Sequence, residues 1–208
     1  LGGMMMVKGT AQDIKAKVLD IQLAHAYEPE ALRQPKRWVI VQNIKRVLEA
    51  LGLPEKIFAV NVLVGRAPTK LQGHMPGAAV VDITQADLQI PGEAESRLRN
   101  QPKNSAGKAE VVLFYTQGDR VSQGDVDRAR ELLKAGGTII VMDVSKGNTL
   151  RELLNNGMAD PDVERVTVLQ DKYTQVGVAL KMAEPEAPSN FLSSGVFPLS
   201  IIHEALKS

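Results

Sequence analysis

Residues 110–154 read EVVLFYTQGDRVSQGDVDRARELLKAGGTIIVMDVSKGNTLRELL. Glu110–Thr116 is a short apolar, β-branched run, the composition of a buried strand. Ser122 followed by Asp125 has the form of a helix start. Val126, Ala129, Leu132 and Leu133 then recur at helical spacing. Gly136-Gly137 ends the helix, one of them as a left-handed cap. Thr138–Val144 is a second apolar strand. Asn148 is placed to cap a short helix to Asn156, with Gly157 after it. A strand, crossover helix and strand of this length form a right-handed unit with parallel strands. The stretch therefore predicts an α/β fold.

Upstream, Thr10–Tyr27 is expected to be a helix, with Ala11, Ile14, Val18 and Ile21 on one face. A second helix is expected over 36–51, striped by Ile40, Ile44, Val47, Leu48 and Leu51 and stopped by Gly52 and Pro54. Its start, Arg33 to Arg37 beside Trp38, reads as a helix start with the tryptophan in the core. Lys56–Val64 is almost continuously apolar, so it is a strand covered on both faces. Ala78–Thr84 is the next strand. The linking loop lacks a helical crossover, which suggests an antiparallel pair. Residues 85–108 are polar, with one helical turn around 93–100, and read as a flexible loop or a functional flap. Glu164–Gln170 and Gln175–Met182 are separated by four residues and should form an antiparallel hairpin at a sheet edge. Residues 183–189 have linker composition. Leu199–Lys207 is patterned as an amphipathic tail helix.

The expected architecture is thus one three-layer α/β domain over 1–182 with a mixed, mainly parallel sheet. A helical pair over 10–52 leads into it. A linker and tail helix over 183–208 follow.

Composition narrows the function. The chain has 208 residues, a net charge of +1 and 44% hydrophobic residues, and no cysteine. The absent thiols exclude disulfides, thiolate catalysis and cysteine zinc sites. Balanced charge and 4% aromatic residues argue against nucleic acid as a partner, since no general field or stacking platform is implied. No apolar run is long enough for a membrane helix, and a cytoplasmic location is the default. Neither G-x-x-x-x-G-K-[ST] nor G-x-G-x-x-G occurs, so no nucleotide cofactor is implied. No histidine pair has metal-ligand spacing, so no metal is expected.

Ligands of open α/β sheets bind beyond the carboxyl ends of the parallel strands. Those ends present Thr116 and Asp119 after one strand. After the next they present Asp143, Ser145, Lys146 and Gly147, running into a helix start at Asn148 and Thr149. Free N–H groups, the helix dipole and Lys146 would favour a phosphate or carboxylate there. An ordinary turn with a self-capping Asn148 is the other reading. Weak catalytic candidates are Ser145, Asp143 and His74. Ser145 lies in a DVSKG sequence with Asp143 where a nucleophile elbow needs glycine. His74 sits in a GHMPG loop where a general base could work. Asp82, near the end of its strand, could face the same edge.

Residues 121–144, VSQGDVDRARELLKAGGTIIVMDV, resemble part of the class I glutamine-amidotransferase-like α/β superfamily. The likeness covers about 45 residues once the strand at Glu110 is included. Catalytic members carry a cysteine nucleophile beyond the Gly-Gly strand, and this chain has none. The resemblance therefore implies a non-catalytic binding or assembly module. Its partners would be a protein or a second copy reached through the tail. A small anionic ligand at 143–149 is the alternative.

Overall fold

The computed structural model describes residues 15–102, 104, 106–145 and 149–185. Within them a seven-stranded sheet is the centre of the fold. Its strands are β1 (Ala16–Asp20), β2 (Phe58–Leu63), β3 (Ala79–Thr84), β4 (Ala109–Thr116), β5 (Leu133–Asp143), β6 (Val163–Asp171) and β7 (Thr174–Met182). Across the sheet they lie in the order β1-β6-β7-β5-β4-β2-β3. All neighbouring pairs are parallel except the two that β7 makes with β5 and β6. The helices are α1 (Lys36–Ala50), α2 (Gln85–Gln89), α3 (Glu93–Arg99), α4 (Gln123–Glu131) and α5 (Thr149–Ala159).

Two apolar clusters show the three layers. On one face Leu88, Ala94, Leu98, Val126, Ala129, Leu150 and Leu153 of α2 to α5 pack on Val60, Val112, Phe114, Ile139 and Val141. On the other, Ile40, Ile44 and Val47 of α1 pack on Ala59, Val80, Val111 and Leu113. The central strands are buried on both sides, which is why they read as continuous apolar runs. The expected α/β fold with a mixed, mainly parallel sheet is what the chain adopts.

Several local expectations need correction. The helix expected over 10–27 is, where described, the edge strand β1 followed by irregular chain over 21–27. Its backbone completes the ladder of β6, pairing Ala16 with Val166 through Asp20 with Gln170. Val18, placed on the supposed helical stripe, is 60% exposed. Ala16, Lys17 and Leu19 favour a helix by propensity, but the free edge of β6 offers five residues a full backbone ladder, and a helix this short is marginal alone. The hairpin is consequently not at an edge: β1 lies outside β6, and β7 is enclosed between β5 and β6.

β2 and β3 are parallel, not antiparallel, with Phe58 opposite Ala79 through Leu63 opposite Thr84. The 15 residues 64–78 recross the sheet as turns without a helix. Extended chain at about 3.3 Å per residue spans a six-residue strand with length to spare. Residues 85–108 are also not a bare loop. Thr84 and Asp87 form a capping box at the start of α2. The Thr84 backbone N–H holds the Asp87 carboxyl below its ordinary range. Leu88, Ala94 and Leu98 bury themselves against the sheet.

Ser122 and Asp125 do form the capping box of α4. That helix stops at Glu131, and 133–137 become a bulged entry to β5, where the register against β4 shifts between Ala109 and Val111. α5 runs through Gly157 rather than ending before it; a Cβ there would lie 2.7 Å from Leu180 Cδ2. Asn148, the tail helix at 199–207 and the contacts expected through it lie outside the described residues. No helix among the described residues is long and apolar enough to cross a membrane.

Candidate functional site

The strand order fixes where a ligand fits. From β2 the chain moves outward to β3, then returns past β2 to β4 and continues the other way to β5. Connections leave β2 and β4 in opposite directions, so their loops part above the carboxyl ends of these two strands. This is the topological switch point, the general ligand position of open α/β sheets.

A crevice of ≈ 220 Å³ lies there. Its inner wall is Ile40 of α1 with Val62, Val64 and Leu71; Tyr115 and Asn61 add polar edges. Arg66, Thr69, Gln117 and Asp119 stand around its mouth. A larger groove of ≈ 390 Å³ lies at the opposite end, under the C-terminus of α1 and beside Lys17, Lys134 and Arg165. It faces the amino ends of the strands, where the loops do not diverge.

Buried polar bonds hold the crevice open. Asn61 donates to Asp82 Oδ1 at 2.9 Å and to the Thr69 carbonyl at 3.0 Å. Asp82 also accepts the backbone N–H groups of Leu71 and Gln72 at 3.0–3.1 Å. One carboxylate thus ties 69–72 down onto β2 and β3. The sequence reading placed Asp82 at this edge, and it is a loop anchor with its oxygens committed. Tyr115 is half-buried, and burial pushes its hydroxyl above the ordinary tyrosine value while a bond to Asn43 opposes that shift. It stays a neutral donor and acceptor.

Gly65 follows β2 at φ +84, a left-handed position. A Cβ there would lie 2.0 Å from Asp119 Oδ2. The missing side chain lets the Asp119 carboxylate lie against the first turn after β2. Asp119 is the expected ligand residue that the fold does bring to the crevice. Thr116 is a staple instead: its hydroxyl, on a buried side chain, donates to the Asp119 carbonyl at 2.8 Å and sets the turn.

The turn after β5 is built differently. Asp143 is 1% exposed. Its Oδ1 accepts the backbone N–H of Gly118 at 3.1 Å, that of Ser145 at 3.0 Å and the Ser145 hydroxyl at 2.8 Å. The described N–H groups at this turn, those of Gly118 and Ser145, thus hold the chain's own carboxylate. A phosphate or carboxylate would also meet that negative charge, so the expected anion site at 143–149 is corrected on electrostatic grounds. Lys146, Gly147, Asn148 and the Thr149 side chain lie outside the described residues. Ser145 spends its proton on Asp143, an acid fixed in the turn, and Asp143 itself is closed off. His74 Nε2 lies 3.0 Å from Arg37 Nη1 on the surface. Among the described residues no group of three or more acidic or histidine side chains could hold a metal.

Sequence reasoning missed Arg66, Tyr115 and Asn61. One signal was available: Gly65-Arg66 directly follows the apolar run 56–64. Its importance depends on β3 being parallel to β2, which the loop composition conceals.

No protein family and no curated protein matches the chain. Among solved structures, the chain is similar to a putative ribosomal RNA methyltransferase from Plasmodium falciparum, at 14% identity and a TM-score of 0.42 over 88% of this chain and 96% of that one. It is also similar to the MycE methyltransferase of the mycinamycin biosynthetic pathway, solved with Mg and SAH, at 10% identity and a TM-score of 0.36. That match covers 82% of this chain and 64% of that one. Both are methyltransferases and neither is a glutamine amidotransferase. The amidotransferase-like resemblance of 110–154 is therefore corrected, together with the non-catalytic, protein-binding module it implied. A capped helix between two buried strands with a Gly-Gly in the connection is common to many βαβ units.

Proposed function

We propose that the chain binds a small organic molecule in the switch-point crevice, in the manner of an α/β enzyme. One observation carries this: a preformed cavity lies where the loops after β2 and β4 diverge, and at its mouth the Arg66 and Asp119 side chains make no hydrogen bond among the described residues. Arg66 offers a cation for a carboxylate or another acceptor. Asp119 offers a carboxylate for hydroxyl or ammonium donors. Ile40, Val62 and Leu71 take an apolar or ring portion. A zwitterionic or hydroxylated molecule of nucleoside or amino-acid type matches that set. At ≈ 220 Å³ the crevice is somewhat below the roughly 300–1,000 Å³ of most small-molecule sites. It encloses one moiety and leaves the rest at the open mouth.

Isothermal titration against adenosine, methionine, S-adenosylhomocysteine and simple nucleotides tests the reading. A ligand at 100 times its dissociation constant should also stabilise the fold by about 2.7 kcal/mol. Asp119→Asn and Arg66→Ala should each weaken binding at least about tenfold, while stability changes by no more than about 0.5 kcal/mol. Binding that is indifferent to both substitutions, or no binding across the panel, overturns it.

A further inference from the structure

The β6–β7 connection is a two-residue turn, Lys172-Tyr173, with φ +46 and +69. Both central residues are left-handed, the geometry of a type I′ turn, which favours Asn-Gly. A lysine and a tyrosine are poor occupants, because a Cβ crowds the backbone there. Tyr173 gains nothing from the fold in return: it is 96% exposed. Next to this turn His25 Nε2 lies 3.1 Å from Asp171 Oδ2. His25 in turn stacks on Tyr27, with centroids 5.1 Å apart and planes 9° from parallel. Tyr27 is 74% exposed, so the histidine backs one face of its ring and leaves the other to solvent.

Two open aromatic rings therefore flank one His–Asp contact. Lys172 is exposed beside Tyr173 in the same turn, and Arg33, Lys36 and Arg37 are exposed at and just before the start of α1, which a Lys36–Gln117 bond holds at the same end of the sheet. Glu28 and Glu30 are the acids on that segment, and Asp171 is engaged with His25. Cations outnumber free acids. Exposed aromatic faces beside cations are the elements that bind single-stranded nucleic acid, through base stacking and phosphate contacts. Low aromatic content argued against this in the sequence, but content does not show that two of three tyrosines end up at one edge.

We propose that Tyr27 and Tyr173, with Lys172, form a stacking platform for single-stranded nucleic acid. The site is separate from the switch-point crevice and does not rest on the reading given to it. The turn keeps strained residues because they face a partner rather than the core.

Fluorescence anisotropy with labelled single-stranded RNA and DNA 12-mers, read at several salt concentrations, tests this on the full chain. Tyr173→Gly should lower affinity by roughly 5- to 150-fold, the loss of one stacked base. The same substitution relieves the left-handed strain and should raise Tm by roughly 2–8 °C. Tyr173→Trp should keep binding, and Lys172→Asn should reduce the salt slope by about one. A drop in affinity with a rise in Tm separates loss of the platform from loss of the fold. Three results overturn the proposal: no oligonucleotide binding below about 1 mM, a duplex binding as well as the single strand, or Tyr173→Gly binding like the parent chain. Binding to anionic vesicles with none to oligonucleotides reassigns the patch to a lipid surface and overturns it too.

Discussion

Two turns at the same end of the sheet, after β2 and after β5, begin from similar sequence material and end with opposite chemistry. Both follow a buried parallel strand, and each has glycine and a cation close behind it: Gly65-Arg66 in one, Lys146-Gly147 in the other. After β5, the chain supplies its own anion. Asp143 takes the N–H groups of Gly118 and Ser145 and ties the β4 and β5 turns together. After β2, the carboxylate that does the tying is Asp82, set back on the neighbouring strand and bonded to 71 and 72. The mouth is left with Arg66 and Asp119 facing solvent. A strand end becomes a site only where its backbone donors and charges are not consumed by the protein itself.

The largest expected effect tests the closed turn. Asp143→Ala removes a buried carboxylate that accepts two backbone N–H groups and a hydroxyl, bonds of the charge-assisted kind, and should cost about 3 kcal/mol in urea unfolding. Asp143→Asn retains the Oδ1 acceptor and should cost far less. An alanine variant within 1 kcal/mol of the parent chain would show that Asp143 is not what closes this turn.

The second effect tests the open turn. Gly65→Ala places a side chain at φ +84 and drives a Cβ to 2.0 Å from Asp119 Oδ2. Backbone strain alone should cost roughly 1–2 kcal/mol. Asp119 must also leave its place, so ligand affinity at the crevice should fall alongside stability. If stability falls and affinity does not, Asp119 has no part in the site.

These two turns also mark what the sequence disclosed. Strands β2, β4 and β5 were legible because burial on both faces leaves an uninterrupted apolar run. The α4 start was legible because Ser122 and Asp125 form a reciprocal cap. β1 was not, because a five-residue edge strand takes its stability from β6, 150 residues away in sequence. The parallel pairing of β2 and β3 was hidden for the same kind of reason: a turn-rich crossover of 15 residues carries no helical pattern. With that pairing hidden, the sequence does not place the switch point, and the turn after β5 reads as the more open strand end. Thr116 and Asp119 look alike as polar residues beyond one strand end, yet only Asp119 lines the crevice, since the Thr116 hydroxyl is spent on the Asp119 carbonyl.

The smallest expected effect separates the crevice wall from its mouth. Burial raises the Tyr115 hydroxyl above its ordinary value of 10.0. Below pH 10 both folded and unfolded chains keep this proton, and Tyr115 contributes no pH dependence. Above it the unfolded chain ionises first, so stability falls as pH rises towards the folded value. Tyr115→Phe removes that term. Relative to the parent chain, its Tm should decline less between pH 9 and about pH 11. At neutral pH the substitution removes only a half-buried hydroxyl and should change stability by no more than about 1 kcal/mol. Ligand binding by the parent chain should be unaffected by this ionisation up to pH 10, because the hydroxyl stays protonated throughout. Parallel declines for the two proteins would mean that Tyr115 titrates like an exposed tyrosine. The crevice wall would then be open to water, and the contrast with the sealed turn at Asp143 would be smaller than the geometry implies.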